Sequence, residues 1–307
     1  MTASAREGRF RGEPAATLRA GDLSATFLPG LGMTGVSLRA GPREHLALPG
    51  GLDALRAGAT LGLPLLAPWA NRLGAWHYRV ADVSVDLDGL PLRTDGQGLP
   101  IHGLLVGRPA WHVDRLAARG EVARLAASTT VDLPAFPFPH RLAVTAALRP
   151  SGLTVTTALT PTGRRRVPVA FGWHPYLRLP GSPRGRWHLT LPTRDHLALD
   201  PRGIPTGVEA PARAESAPIA RRTLDDLYRL PARRRALSLT AEDGTSVTLQ
   251  PGRGYAYAQV WVPPGRPFAA LEPMTAPTNA LITGATPLVA PGDTHTAEFT
   301  LAVAGDR

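Results

Sequence analysis

Two residue types are missing from this chain: its 307 residues include no cysteine and no lysine. The first absence excludes disulfides, thiolate nucleophiles and cysteine-ligated zinc, and leaves the redox compartment unmarked. The second excludes Schiff-base chemistry at lysine, so all 34 basic side chains are arginine. Long apolar runs are lacking too. The longest, Leu61 to Ala70, carries two prolines and is far shorter than the roughly 20 residues that a membrane span needs. No apolar stretch of signal length follows the three arginines of Met1 to Arg11. The expectation is a cytoplasmic protein with no membrane partner.

The formal charge of +10 does not imply nucleic acid, because the arginines are scattered rather than gathered into a patch. The only runs are Arg164-Arg165-Arg166, Arg221-Arg222 and Arg233-Arg234-Arg235. So complete a bias toward arginine has the look of a GC-rich genome and reads as a solvated surface.

What is present is turn punctuation. The 32 glycines and 32 prolines have no collagen period, and a 43% hydrophobic fraction is enough for a sizeable core. Short β-rich stretches recur, among them Ala25-Phe27, Thr34-Leu38, His77-Val85, Trp111-Val113, Trp187-Leu191, Tyr257-Val262 and Thr296-Val303. Two hairpins are expected, Arg141-Leu148 into Leu153-Leu159 and Ala236-Thr240 into Thr245-Leu249. Helices are few, with Leu52-Ala57 and Thr223-Tyr228 as candidates. The Pro- and Arg-rich stretch Arg194 to Arg222 is expected to wrap the surface or rim a cleft. No composition shift or repeat divides the chain, so residues 1–307 are expected to form one all-β domain of sandwich type.

Five polar islands stand in apolar or turn-like surroundings: Trp69-Ala70-Asn71-Arg72, Ile101-His102-Gly103, Trp173-His174-Pro175-Tyr176, Leu224-Asp225-Asp226-Leu227-Tyr228 and Leu271-Glu272-Pro273. Each has a bland reading as a turn, a cap or a core contact. The remaining histidines are expected to be structural, with His45 in a polar loop. Glu272 and His174, each held by prolines and flanked by bulky side chains, suit a general base and a general acid at one pocket.

Together the islands resemble the aldose 1-epimerase (galactose mutarotase) family over nearly the whole length. The resemblance rests on Pro68-Trp69-Ala70-Asn71-Arg72, His102-Gly103, Gly172-Trp173-His174-Pro175-Tyr176 and Glu272-Pro273-Met274-Thr275. The last two segments are similar to a bacterial branch of the family. Asp225, three residues before Tyr228, matches the family aspartate, with Asp226 as the neighbouring alternative. Gln259 fills the position of a glutamine on a late strand. Ala70 replaces the second proline of the family's Pro-Trp-Pro pattern, and His174-Pro175-Tyr176-Leu177 stands where the best-known galactose enzymes have His-x-Tyr-Phe-Asn.

The resemblance implies a large antiparallel β-sandwich, the galactose mutarotase-like supersandwich, with an open sugar-binding cleft. It implies an isomerase that interconverts the α and β anomers of free hexoses without metal or cofactor. Glu272 takes the anomeric proton while His174 protonates the ring oxygen. Asn71, Arg72, His102 and Gln259 bind sugar, and Asp225 either binds sugar hydroxyls or supplies a field that keeps His174 charged. Trp173 and Tyr176 are alternatives for stacking on the pyranose, with Trp69 a third. The partner is a small aldose, and the protein a monomer or homodimer. The rival readings are a hexose-phosphate mutarotase, a noncatalytic carbohydrate-binding domain and a two-carboxylate glycoside hydrolase.

Overall fold

A computed structural model describes residues 2–108 and 111–305. Its fold is all-β. Three antiparallel sheets dominate, built from short strands separated by the glycine and proline turns that the composition foretells. The largest has nine strands, running in space from Glu215–Pro218 through His188–Leu191, Leu237–Thr240, Ser246–Pro251, His295–Ala304, Gly152–Pro161, Phe136–Arg149 and Val122–Leu133 to His112–Arg119. The eight-stranded sheet runs from Pro205–Ala212 through Arg194–Leu199, Leu224–Arg229, Tyr257–Val262, Ala269–Met274 and Gly172–Trp173 to Leu65–Leu66. Tyr176–Leu177 joins it off this path, on Ala269–Met274. The N-terminal residues form a five-stranded sheet, Ser4–Phe10 to Arg43–Glu44.

Alternation along the strands shows how the two large sheets stack. In Gly152–Pro161, Leu153, Val155, Thr157 and Leu159 are buried while the threonines between them are half-buried, as expected for a strand with one face on a core. Trp173 of the eight-stranded sheet reaches across the interior, donating Nε1–H to Thr157 Oγ1 at 3.0 Å and packing its ring 5.9 Å from Phe299. Both contacts lie on the nine-stranded sheet.

Both expected hairpins form, as Phe136–Arg149 with Gly152–Pro161 and Leu237–Thr240 with Ser246–Pro251. The helix expected over Leu52-Ala57 is present as Gly51–Arg56. Thr223-Tyr228 is not a helix. Leu224–Arg229 is a strand paired on one side with Tyr257–Val262 and on the other with Arg194–Leu199. A six-residue run whose apolar residues are Leu224, Leu227 and Tyr228 fits either period, and backbone pairing on both flanks decides for the sheet. The Arg194 to Arg222 stretch likewise contains strands, Arg194–Leu199, Pro205–Ala212 and Glu215–Pro218. Pro205–Ala212 and Glu215–Pro218 are edge strands, where proline breaks no ladder bond. His45 is not in a polar loop: it is fully buried, its amide bonded to the Leu38 carbonyl at 2.9 Å.

Candidate active site

Period-two alternation puts polar residues of three neighbouring strands on one face of the eight-stranded sheet. Asp225 lies opposite Trp261, and Gln259 lies opposite both Leu227 and Glu272. The alternate residues Tyr228, Val260, Val262 and Leu271 enter the main core instead. The same alternation separates the two aspartates. Asp225 shares the face of Glu272, whereas Asp226 lies on the other, within 3.2 Å of the Tyr228 hydroxyl and 3.5 Å of His196.

Loops complete the site. His174 lies between the short strands Gly172–Trp173 and Tyr176–Leu177, its amide bonded to the Pro64 carbonyl at 3.1 Å. Asn71 and His102 both take left-handed backbone angles, φ 55° and 64°, and are joined by a bond from the His102 amide to the Asn71 carbonyl at 3.0 Å. Gly103, at φ 65°, can only be glycine, because a Cβ there would sit 2.3 Å from the Ala67 carbonyl oxygen.

At the centre, His174 Nε2 lies 3.2 Å from Glu272 Oε1, with side chains only 5% and 3% exposed. The imidazole is clamped on several sides. Tyr176 stacks on it at 4.4 Å with its hydroxyl 2.7 Å from Thr60 Oγ1, while His102 and Trp261 approach edge-on at 5.4 and 5.5 Å. Beside the pair, Asp225 accepts from Gln259 Nε2 at 2.6 Å and from Arg72 at 3.2 Å. Arg72 also donates to Asp95 at 2.8 Å and to Asn71 Oδ1 at 3.0 Å. Buried polar atoms with no protein partner remain on Glu272 Oε2, Gln259 Oε1, His174 Nδ1 and His102 Nδ1. Buried polar atoms are ordinarily satisfied, so this concentration marks a place built to receive a polar ligand.

Electrostatics follow from burial. Desolvation, with the Arg93 charge adding to it, takes His174 down to about 3. Desolvation, with the Asp225 charge next and Arg72 opposing, raises Glu272 well above the usual carboxylate range. His102 is likewise held well below the usual imidazole range by burial and the charges of His174, Arg93 and Arg72. In contact at 3.2 Å, His174 and Glu272 form a coupled pair, whose titration belongs to the two together. This differs from an independent imidazolium kept charged by Asp225. The carboxylate facing His174 is Glu272, and Asp225 is bound to Arg72 and Gln259.

The structure thus brings together Asn71, Arg72, His102, His174, Tyr176, Asp225, Gln259 and Glu272. It does not bring Trp173, whose ring is fully buried between the sheets and bonded to Thr157. Strand alternation points it away from the imidazole next to it in sequence. Trp69, 1% exposed, is also in the core. Tyr176 backs the imidazole, leaving the half-buried Trp261 as the aromatic beside the opening. Trp261 carried a legible signal, since it lies two residues beyond Gln259 on the same strand. Asp95 had none, because its role depends on a loop closing over Arg72. The expected open cleft does not expose the acid-base pair. The acid-base pair is covered, and solvent reaches Asp225, 40% exposed, more freely than Arg72, 17% exposed.

Residues 45–302 match the family model for aldose 1-epimerase. No curated protein sequence matches the chain. Among solved structures, a galactose mutarotase-like protein from Clostridium acetobutylicum superposes with a TM-score of 0.86 at 17% identity over 99% of each chain. Galactose 1-epimerase from Lactobacillus acidophilus does so at 0.78 and 13% over 100% of each chain. An aldose epimerase homologue from C. elegans gives 0.75 and 16% over 93% of this chain and 96% of its own. At such identities the superpositions establish the fold. The match over residues 45–302 establishes the family: the chain belongs to the aldose 1-epimerase family.

Proposed function

We propose that this aldose 1-epimerase family member is an active, cofactor-independent mutarotase. It interconverts the α and β anomers of a hexose in the cytoplasm, as one domain of 1–307. The observation that carries the reading is the buried contact of His174 Nε2 with Glu272 Oε1 at 3.2 Å, edged by unpaired polar atoms. Sugar binding alone needs donors and aromatics, not an imidazole and a carboxylate sharing one proton.

In this reading Glu272 accepts the proton of the anomeric hydroxyl while His174 Nε2 delivers one to the ring oxygen. The bond between C1 and the ring oxygen breaks, leaving an aldehyde at C1 and a hydroxyl on C5. Rotation about C1–C2 presents the other face of the aldehyde. His174 then takes back the C5 hydroxyl proton as that oxygen closes on C1, and Glu272 returns its proton to O1, so the proton count balances. Either distribution of the shared proton leaves one donor and one acceptor, and sugar hydroxyls entering beside Arg72 favour the charged one. Arg72 offers its planar fork to sugar oxygens while Asp95 and Asp225 hold it. Asp225 and Gln259 are placed to meet hydroxyls, and Trp261 to cover an apolar ring face. Positioned proton transfer contributes about 10²–10⁴-fold.

Following the optical rotation of freshly dissolved α-D-glucose and α-D-galactose tests this reading. Enzyme-dependent approach to equilibrium without hydrolysis of a chromogenic glycoside supports it. Binding without exchange leaves a sugar-binding domain, and hydrolysis abolished by Glu272→Gln points to the two-carboxylate reading.

A further inference from the structure

The turn that joins Arg194–Leu199 to Pro205–Ala212 has no part in the chemistry above, yet it closes on the guanidinium of Arg72. Leu197 lies opposite Leu227 in an antiparallel pair, so its strand runs on toward Asp225 before the chain reverses at the edge of the sheet. Asp200 fixes the turn. Its Oδ1 accepts from the amides of Arg202 at 2.8 Å and Ile204 at 3.0 Å, and its carbonyl accepts from the Gly203 amide at 2.8 Å. On the outside, the Pro201 carbonyl accepts from Gln97 Nε2 at 2.9 Å, in the same loop whose Asp95 holds Arg72.

Gly203 is where the turn meets the site. A Cβ there would sit 2.9 Å from Arg72 Nη1, 3.1 Å from Cζ and 3.3 Å from Nε. Near-equal distances to three atoms of a planar group place that Cβ over its face, so only glycine lets the backbone seat on the guanidinium. A clash with the end of a long side chain is ordinarily relieved when the side chain swings away. Arg72 has little freedom to do so, because Asp95, Asn71 and Asp225 each accept one of its N–H groups. Of the five donors of a guanidinium, those three bonds leave two for a sugar.

We propose that Gly203 is a positioning residue for the reaction: the turn backbone covers one face of Arg72 and, with Asp95 and Asp225, sets the direction in which its remaining N–H groups meet the sugar. The proposal rests on the mutarotase reading of the same site, which makes Arg72 a sugar contact. Gly207 separates this role from simple turn formation. It lies in the same hairpin and is also left-handed, at φ 86° against 75° for Gly203, but a Cβ at Gly207 meets nothing within 4 Å. Alanine strains the backbone at either position. Only at Gly203 does the added methyl reach Arg72.

The experiment compares wild type, Gly203→Ala and Gly207→Ala by anomer exchange, by thermal melts and by the NMR resonance of the Arg72 Nε–H, which its bond to Asp95 shelters. Both variants are expected to melt lower by similar amounts. Gly207→Ala should keep kcat and KM within about twofold, whereas Gly203→Ala should raise KM about tenfold with kcat changed less than about threefold. In an Arg72→Lys background, where no planar group meets the turn, Gly203→Ala should cost no more than Gly207→Ala. The Nε–H resonance should move in Gly203→Ala alone. Equal kinetics in the two glycine variants, a Gly203→Ala penalty undiminished beside Arg72→Lys, or unfolding of Gly203→Ala alone would each reduce Gly203 to a turn residue and overturn the proposal. Wild type that exchanges no anomers overturns the mutarotase reading instead, and the contact with Arg72 is then decided by the Nε–H resonance, which if unmoved in Gly203→Ala overturns the positioning as well.

Discussion

Replacing Asp95 by asparagine isolates the support beneath Arg72. Asp95 Oδ1 accepts from the amides of Gln97 at 2.8 Å and Leu99 at 3.0 Å, and Oδ2 accepts from Arg72 Nε at 2.8 Å. Burial alone would raise its pKa, yet these amides and the guanidinium together hold the carboxyl below its usual range. Asparagine keeps an oxygen for the loop amides but offers Arg72 a neutral amide in place of the carboxylate. Exposed ion pairs contribute about 0–1 kcal/mol, and breaking buried ones costs about 3–5. With side chains 17% and 8% exposed, this pair falls between, near 2 kcal/mol. If Arg72 binds the sugar throughout the reaction, that loss appears in kcat/KM as about 30-fold. The assay is anomer exchange over a range of sugar concentrations, beside a thermal melt. Asp95→Ala, which also frees the loop amides, should melt lower than Asp95→Asn. An asparagine variant within about twofold of wild type in kcat/KM, with Arg72→Ala far below it, would show that Arg72 needs no such support.

Other consequences concern pH and the aromatic residues. If the pair shares one proton, with His174 down at about 3 and Glu272 raised, kcat/KM should hold within about twofold from pH 5 to pH 7. An acid of ordinary imidazole pKa near 6.5 would lose about fourfold over that interval, and such a fall would refute the shared proton. Trp261→Leu should raise KM about five- to tenfold, since it removes a wall of the opening. Trp173→Leu should instead lower stability by about 3 kcal/mol through a cavity and an unbonded Thr157, with KM unchanged. The reverse pattern would exchange their places. His45 is lowered to about 4 by burial, so the unfolded chain takes up its proton first as pH falls. Its contribution is complete above about 6.5 and is lost between there and 4, roughly 3 kcal/mol in all. Denaturant titrations at pH 7.5 and 4.5 should show this loss shrinking in His45→Leu, and an equal loss in both proteins would contradict it.

The sequence made the fold class and most of the polar islands legible because both depend on short-range pattern. Turn residues between alternating strands mark a sheet, and a histidine or glutamate set between a bulky apolar residue and a proline stands out wherever it lies. The choice of face was less accessible. Trp173 and Tyr176 lie one residue before and two residues after His174 in sequence, yet only pairing with neighbouring strands sends the first between the sheets and stacks the second on the imidazole. The register of Leu224–Arg229 with Tyr257–Val262 likewise separates Asp225 from Asp226. The helix expected over Thr223-Tyr228 failed because a six-residue run has no decisive period of its own. The low pKa of His174 was hidden for a different reason: it comes from burial, which residues distant in sequence create.

The most direct test is turnover by Glu272→Gln, which keeps the shape of the side chain and its place opposite Gln259 while removing the proton acceptor. The expected result is a fall in kcat of at least about a hundredfold with little change in KM, as for a group acting in the transition state, and a comparable fall in His174→Asn. A glutamine variant retaining more than about a tenth of wild-type turnover would contradict the assignment of Glu272 as the base.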